Sequence, residues 1–289
     1  GTTNAGMMSV ALLSFRNADL SRRTFPIPMG ANIPELDAPP WWNLKHKKTM
    51  YYDGRTPAAS ARANMQFLLA GKSLDEFKAL EPAFEKIQAY LLSLQPPKYP
   101  FAIDESRASK GKAIFEESCA RCHGTYGENR SYPNKIIPLE TVGTDPERVM
   151  GISDRSVAHY NSTWLGEIHP VNTKRVGYQA PPLDGIWASA PYLHNGSVPT
   201  LHALLDSPTR PARFLRPAST DFDQYDTAHV GWKFHTIPRD DPSHKPTTKH
   251  EAHYLYDTAR FGLSYGCHTF GDKLTEEQRM ELIEYLKSL

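Results

Sequence analysis

Cys119, Cys122 and His123 stand in the run Cys-Ala-Arg-Cys-His and are followed by Gly124. Thiols at this spacing can each add to one vinyl group of a single porphyrin. The histidine next in the chain then falls beneath the metal and supplies an axial nitrogen. The pattern is that of covalent haem c attachment. It occurs once and uses two of the chain's three cysteines. Two other chemistries draw on the same residues. Zinc could take Cys119 and Cys122 together with Cys267 and His268, but the spacing departs from that of zinc fingers and leaves His123 idle. A redox disulfide between Cys119 and Cys122 calls for a βαβ setting, which this neighbourhood lacks.

Two helices must position the motif. Ser106 to Glu117 reads as an amphipathic helix leading into it, with Gly111 and Phe115 one turn apart on one side. A last helix starts at Thr275, where Gln278 completes a capping box, and carries Met280, Ile283 and Leu286 as its apolar stripe. Gly111, Phe115 and Tyr285 resemble the crossing of first and last helices in small cytochromes c. Upstream, a helix is expected around Met7–Phe15, then a proline-rich stretch ending in Trp41-Trp42, which would wedge a loop onto the core or relay electrons. Tyr51-Tyr52-Asp53-Gly54 reads as a turn. Helices follow over 57–71, stopped by Gly71, from Ser73 with Glu76 as capping partner, and over 81–94. Gln95-Pro-Pro-Lys-Tyr-Pro100 breaks the pattern and divides the chain into a helical segment 1–98 and a haem domain 99–289. Roughly 150 residues separate the two helices of the crossing, too many for a minimal cytochrome. Turns punctuate them at Pro181-Pro182, Asn195-Gly196 and Asp240-Asp241-Pro242. The expected fold is mainly α with long irregular loops: a cytochrome c-like helical haem domain with large loop insertions.

Composition supports that picture. The 24 prolines and 18 glycines imply ordered loops and short helices, which a haem could organise as a core. Lys+Arg 33 against Asp+Glu 32 leaves no basic excess of the kind nucleic-acid binding needs. No apolar run reaches the length of a membrane span, and no signal peptide opens the chain. The start Gly1-Thr2-Thr3 reads as a processed or truncated product. Thioether attachment itself implies export, so the periplasm is the expected compartment.

At Ala180-Pro-Pro-Leu-Asp-Gly-Ile-Trp-Ala-Ser-Ala-Pro-Tyr-Leu-His-Asn-Gly-Ser197 the chain resembles the bacterial dihaem cytochrome c peroxidase superfamily. The electron-transfer domain of that superfamily carries a similar Ala-Pro-Tyr-x-His-x-Gly-Ser segment after its haem motif. The rubber-oxygenase-like branch is closer. It shares Cys-Ala-x-Cys-His-Gly-Thr-Tyr-Gly (119–127), Asp37-Ala-Pro-Pro-Trp-Trp42 and the spacing of Leu274, Leu282, Tyr285, Leu286 and Lys287. The resemblance implies single-electron transfer, with Phe115, Tyr192 and His194 against the cofactor and His194 off the iron. It implies a redox partner protein or a second haem domain, and Ca²⁺ as a further cofactor in some members, although no acidic loop of calcium-ligand density is present here. An earlier haem holds the open coordination site in family enzymes. This chain lacks that attachment motif, so oxidoreductase activity of the peroxidase or oxygenase type requires a second haem domain.

The ligand opposite His123 decides the chemistry. Family peroxidases place a methionine fourteen residues beyond the position of His194, and here Pro208 stands there. His268, in Ser-Tyr-Gly-Cys-His-Thr-Phe-Gly before the last helix, is the leading candidate. Glycines there allow close backbone approach to a flat cofactor, and the rubber-oxygenase-like branch has a similar distal histidine. His194, Met150 and Met280 are alternatives, as is an open site. His159, His169, His202, His229, His235, His244, His250 and His253 are read as surface or loop residues. Two imidazoles would give a low-spin iron that only shuttles electrons; an open position would admit peroxide or dioxygen.

Overall fold

The computed structural model describes residues 5–57, 60–238 and 248–289. Helix α1 (Ala5–Ser14) is followed by α2 (Ala61–Asn64), α3 (Leu74–Lys78) and α4 (Glu81–Ser93); strands β1 (Thr49–Met50) and β2 (Thr56–Pro57) pair between α1 and α2. The helix expected over 57–71 is split. Ser60 caps α2 by accepting the Ala63 N–H, one turn follows, and Met65–Ala70 tightens into a 3₁₀ helix that closes at Gly71. Ser73 and Glu76 form the capping box of α3, as their spacing predicts. Leu13, Leu20, Leu69, Phe77 and Phe84 build a core here, and Leu165 from far downstream joins it.

Helix α5 (Glu105–Ser118) runs into α6 (Ala120–His123), and α13 (Glu276–Lys287) crosses α5. Side-chain size at one position sets that crossing. A Cβ on Gly111 would lie 1.9 Å from the carbonyl oxygen of Glu281, so only glycine lets the two backbones meet. One turn on, the Phe115 and Tyr285 rings pack at 5.3 Å between centroids. Thr275 and Gln278 form the capping box of α13. Its inward residues Leu282, Ile283 and Leu286 are buried, each stabilising the fold by about 1.5–3 kcal/mol through loss of water contact. Met280, expected in the stripe, is only half-buried at its edge.

Between α6 and α13 the chain forms short elements rather than bare loops. The helices are α7 (Leu139–Val142), α8 (Glu147–Met150), α9 (Asp154–Asn161), α10 (Trp164–Ile168), α11 (Leu201–Leu205) and α12 (Lys249–Tyr254). Strand β3 (Ile136–Pro138) pairs antiparallel with β4 (Gly177–Gln179). β5 (Arg213–Leu215) lies between β8 (His235–Thr236) and β9 (Leu255–Asp257), and β6 (Tyr225–Asp226) pairs with β7 (Gly231–Trp232). The chain is mainly α with many irregular connections. The expected turn at 240–242 and His244 lie outside the described residues, as does the side chain of His250. His169, expected at the surface, is buried at the end of α10. Among the described residues no helix is long and apolar enough to cross a membrane.

Candidate haem site

α6 is a single turn, and that turn presents the motif. The Cys122 and His123 N–H groups both donate to the Cys119 carbonyl, so the two cysteines share one face and His123 follows directly. Gly124 ends the turn with φ +85°. Any Cβ there would meet the Ser131 carbonyl oxygen at 1.9 Å, so glycine is required. Phe115, Cys119, Cys122, His123, Tyr192, His194 and His268 all line one cavity of about 240 Å³. Residues separated by about 150 positions are thus brought to one place.

His123 Nδ1 lies 2.9 Å from the Pro181 carbonyl oxygen. A carbonyl only accepts, so Nδ1 carries the proton and Nε2 keeps its lone pair for a metal. Burial lowers the pKa of His123, and the Pro181 bond opposes that. His268 is pushed down to about 4, first by burial and then by the nearby His123 and Arg210. Both rings are neutral at neutral pH. Burial also pushes Cys119 up to about 11, keeping its thiol uncharged in this apolar setting.

The His123 and His268 ring centroids are 6.3 Å apart with planes at 60°. Metal–imidazole bonds of about 2 Å, with each centroid about 1 Å behind its nitrogen, call for about 6 Å between two rings that share a metal. Among the described residues the buried His268 Nδ1 has no hydrogen-bond partner, an arrangement a metal or a bound group would relieve. The apolar wall, the two thiols and the facing imidazoles fit a haem c. No methionine lines the cavity: Met150 is largely exposed, and Met280 packs at the edge of the neighbouring core.

His268 adopts a left-handed backbone (φ +53°), uncommon for a residue other than glycine. Its N–H donates to the Val142 carbonyl, and its carbonyl accepts from Arg210. Arg210 is buried and holds the whole loop. Its guanidinium donates to Ala203 and Leu204 on α11 and to Tyr265, Cys267 and His268 on the loop. Nothing in the sequence singles Arg210 out, because its acceptors are backbone carbonyls that any residue could supply.

His194 is buried against Tyr178, its Nε2 3.2 Å from the phenol oxygen. Tyr178 spends its own proton on the Asp145 carbonyl, so His194 donates from Nε2. Burial, reinforced by Arg148, pushes His194 down to about 3. Trp42 anchors its loop by donating to the Asp184 carbonyl at 2.7 Å, while Trp41 is partly exposed. Cys267 is buried and does not line the cavity. Among the described residues, one group of three or more His, Cys, Asp or Glu is tight enough for a single ion: His202, Asp206 and Glu276. Arg279 already contacts both carboxylates. Among the described residues Cys119, Cys122, Cys267 and His268 form no such group.

Residues 177–215 match a family model described as RoxA-like, cytochrome c-like. The match runs from β4 through His194 to Arg210 and β5. Two relatives come from Sinorhizobium fredii (strain NBRC 101917 / NGR234), both uncharacterized proteins. The one named y4iM is 34% identical over 234 residues, covering 71% of this chain and 51% of the relative. The one named y4iJ is 30% identical over 261 residues, covering 68% of this chain and 41% of the relative. The chain spans about half the length, or less, of these curated relatives. It is related to RoxA-like cytochrome c domains and carries a haem-binding role of the cytochrome c kind.

Proposed function

We propose that the chain is an exported electron-transfer module that passes single electrons through one haem c held between His123 and His268. The observation that carries this reading is the pair of neutral imidazoles 6.3 Å apart in an apolar cavity beside two free cysteines. Cys119 and Cys122 would hold the group covalently. Pro181 fixes the ring of His123; Val142 and Arg210 fix the loop of His268. When bound, the haem supplies a one-electron couple whose potential follows from its axial ligands and burial. The protein's share would be to offer His123 and His268 as ligands to the group and to exclude water. Phe115, Tyr192, Leu201 and Leu282 supply the dry wall.

A peroxidase or oxygenase site on this chain would need His268 to leave its position, and the Arg210 clamp opposes that. Such chemistry is assigned instead to a second haem domain of the longer protein, with residues 1–98 as the segment beside it. Leu13, Leu20, Leu69, Phe77 and Phe84 give that segment a core, which Leu165 joins from beyond the 95–100 linker. The partner is then that second haem domain or a separate redox protein, and thioether attachment supports a periplasmic location.

Mass spectrometry of the denatured chain, with visible and EPR spectra of the native one, tests the reading. A mass increment of one haem and a low-spin ferric signal indifferent to peroxide, cyanide and CO are expected. A bare polypeptide mass overturns the cofactor; a high-spin signal that binds those ligands overturns the axial assignment.

A further inference from the structure

The haem cavity has a segregated lining. Helices α5, α6 and α13 contribute mainly Phe115, Leu282, Leu286 and the two cysteines, with Ser118 and Arg121 at the margin. Most other polar groups come from elsewhere: Asn43, Lys47 and Tyr52 from the segment on either side of β1, and Tyr178 and Gln179 on β4 with His194 packed against Tyr178. Haem c is itself two-ended. Its vinyl groups are consumed in the thioethers, and its two carboxylates lie on the porphyrin edge away from them. With the thioether edge fixed on α6, the carboxylates need the part of the wall that α6 does not form.

Lys47 is the cation of that part. It is half-buried, and it lines both the haem cavity and a second cavity of about 310 Å³ behind it. Its Nζ donates to the Tyr51 carbonyl at 3.2 Å, and no carboxylate oxygen lies within ion-pair distance among the described residues. The nearby Asp53 is taken by Arg148 at 2.9 Å. Asp37 shares the wall, but its Oδ1 accepts from Ala38 N–H, and burial raises its pKa. Burial pushes Lys47 down to about 8 against the opposing pull of Asp53, which is itself ion-paired to Arg148, so the ammonium shares its nearby negative charge with a second cation. An anion brought in by the ligand would supply a full counter-charge.

Resting on the haem reading above, we propose that Lys47 is the counter-cation of a haem propionate. The pair closes the wall between the two cavities, and the positive charge favours the reduced state of the iron. The test uses the haem-loaded chain and its Lys47→Gln and Lys47→Arg variants. Expected are one covalent haem by mass and an unchanged low-spin spectrum in all three. The midpoint potential should fall in Lys47→Gln and recover most of the way in Lys47→Arg. Where the variants fail to load haem, NMR of the reduced wild type decides. Cross-relaxation between the Lys47 ε-methylene and the propionate methylenes supports the pair, and its absence refutes it. An unchanged potential in Lys47→Gln with haem in place overturns this proposal alone. A wild-type chain of bare polypeptide mass overturns the haem reading and the proposal with it.

Discussion

The two sides of the cavity are built by opposite strategies. On the His123 side, five consecutive residues do the work in one helical turn, ended by a glycine that could be nothing else. On the His268 side, one histidine in a strained conformation depends on Val142, on Arg210 and, through Arg210, on α11. The first is mainly a local device, a single helical turn, with the Pro181 carbonyl as the one distant partner named for the His123 ring. The second exists only in the folded chain. On the reading above, one ligand would be fixed beside the covalent attachment and one by tertiary structure, and damage should affect them differently.

The largest expected effect breaks the local side. Replacing Cys119 and Cys122 together by serine should abolish covalent haem, with the mass returning to that of the polypeptide. Replacing His268 by alanine should leave that mass increment intact and convert the iron to high spin, opening it to CO and cyanide. A mass loss in His268→Ala, or an unchanged spectrum, would erase the contrast between the sides.

Arg210 gives the intermediate case. Arg210→Ala strands buried carbonyls on α11 and on the 265–268 loop, and should cost about 3 kcal/mol of stability by chemical denaturation. The haem should stay attached while a high-spin fraction appears, because the loop can leave while the thioethers cannot. Arg210→Lys lacks the planar fork and should fall between alanine and wild type. A low-spin spectrum in Arg210→Ala equal to wild type would show that Val142 alone suffices.

The same contrast decides what was legible in the amino-acid sequence. The motif and the two capping boxes are carried by residues within a few positions of one another, and the Gly111 crossing, though it joins distant helices, is legible from the resemblance to small cytochromes c; each appears where expected. His268 could be nominated from its glycine-flanked setting and the family resemblance, but Arg210 could not. The burial of His169 and the splitting of the 57–71 helix also escaped. Both follow from packing: His169 is enclosed at the end of α10, and Met65–Ala70 tighten to seat Leu69 in the N-terminal core. The 125–274 region, read as loop, folds into α-helices of four to eight residues and two- or three-residue strands too short to leave a clear periodic signal.

The smallest expected effect belongs to His194, which lines the cavity but, on the reading above, binds no iron. Its imidazole is neutral in the folded chain, pushed down to about 3, whereas in the unfolded chain it titrates near its ordinary value. Between about pH 6.5 and 3 the unfolded chain therefore binds a proton that the folded chain refuses. The contribution is fully present above that window and is lost as the pH falls, at a slope of up to about 1.4 kcal/mol per pH unit. His194→Gln keeps a donor for Tyr178 and has nothing to titrate. Denaturation at a series of pH values should then show a shallower acid decline than wild type, with equal covalent haem and an identical low-spin spectrum at pH 7. A spectrum that turns high-spin in His194→Gln while staying low-spin in His268→Ala would make His194, and not His268, the second imidazole.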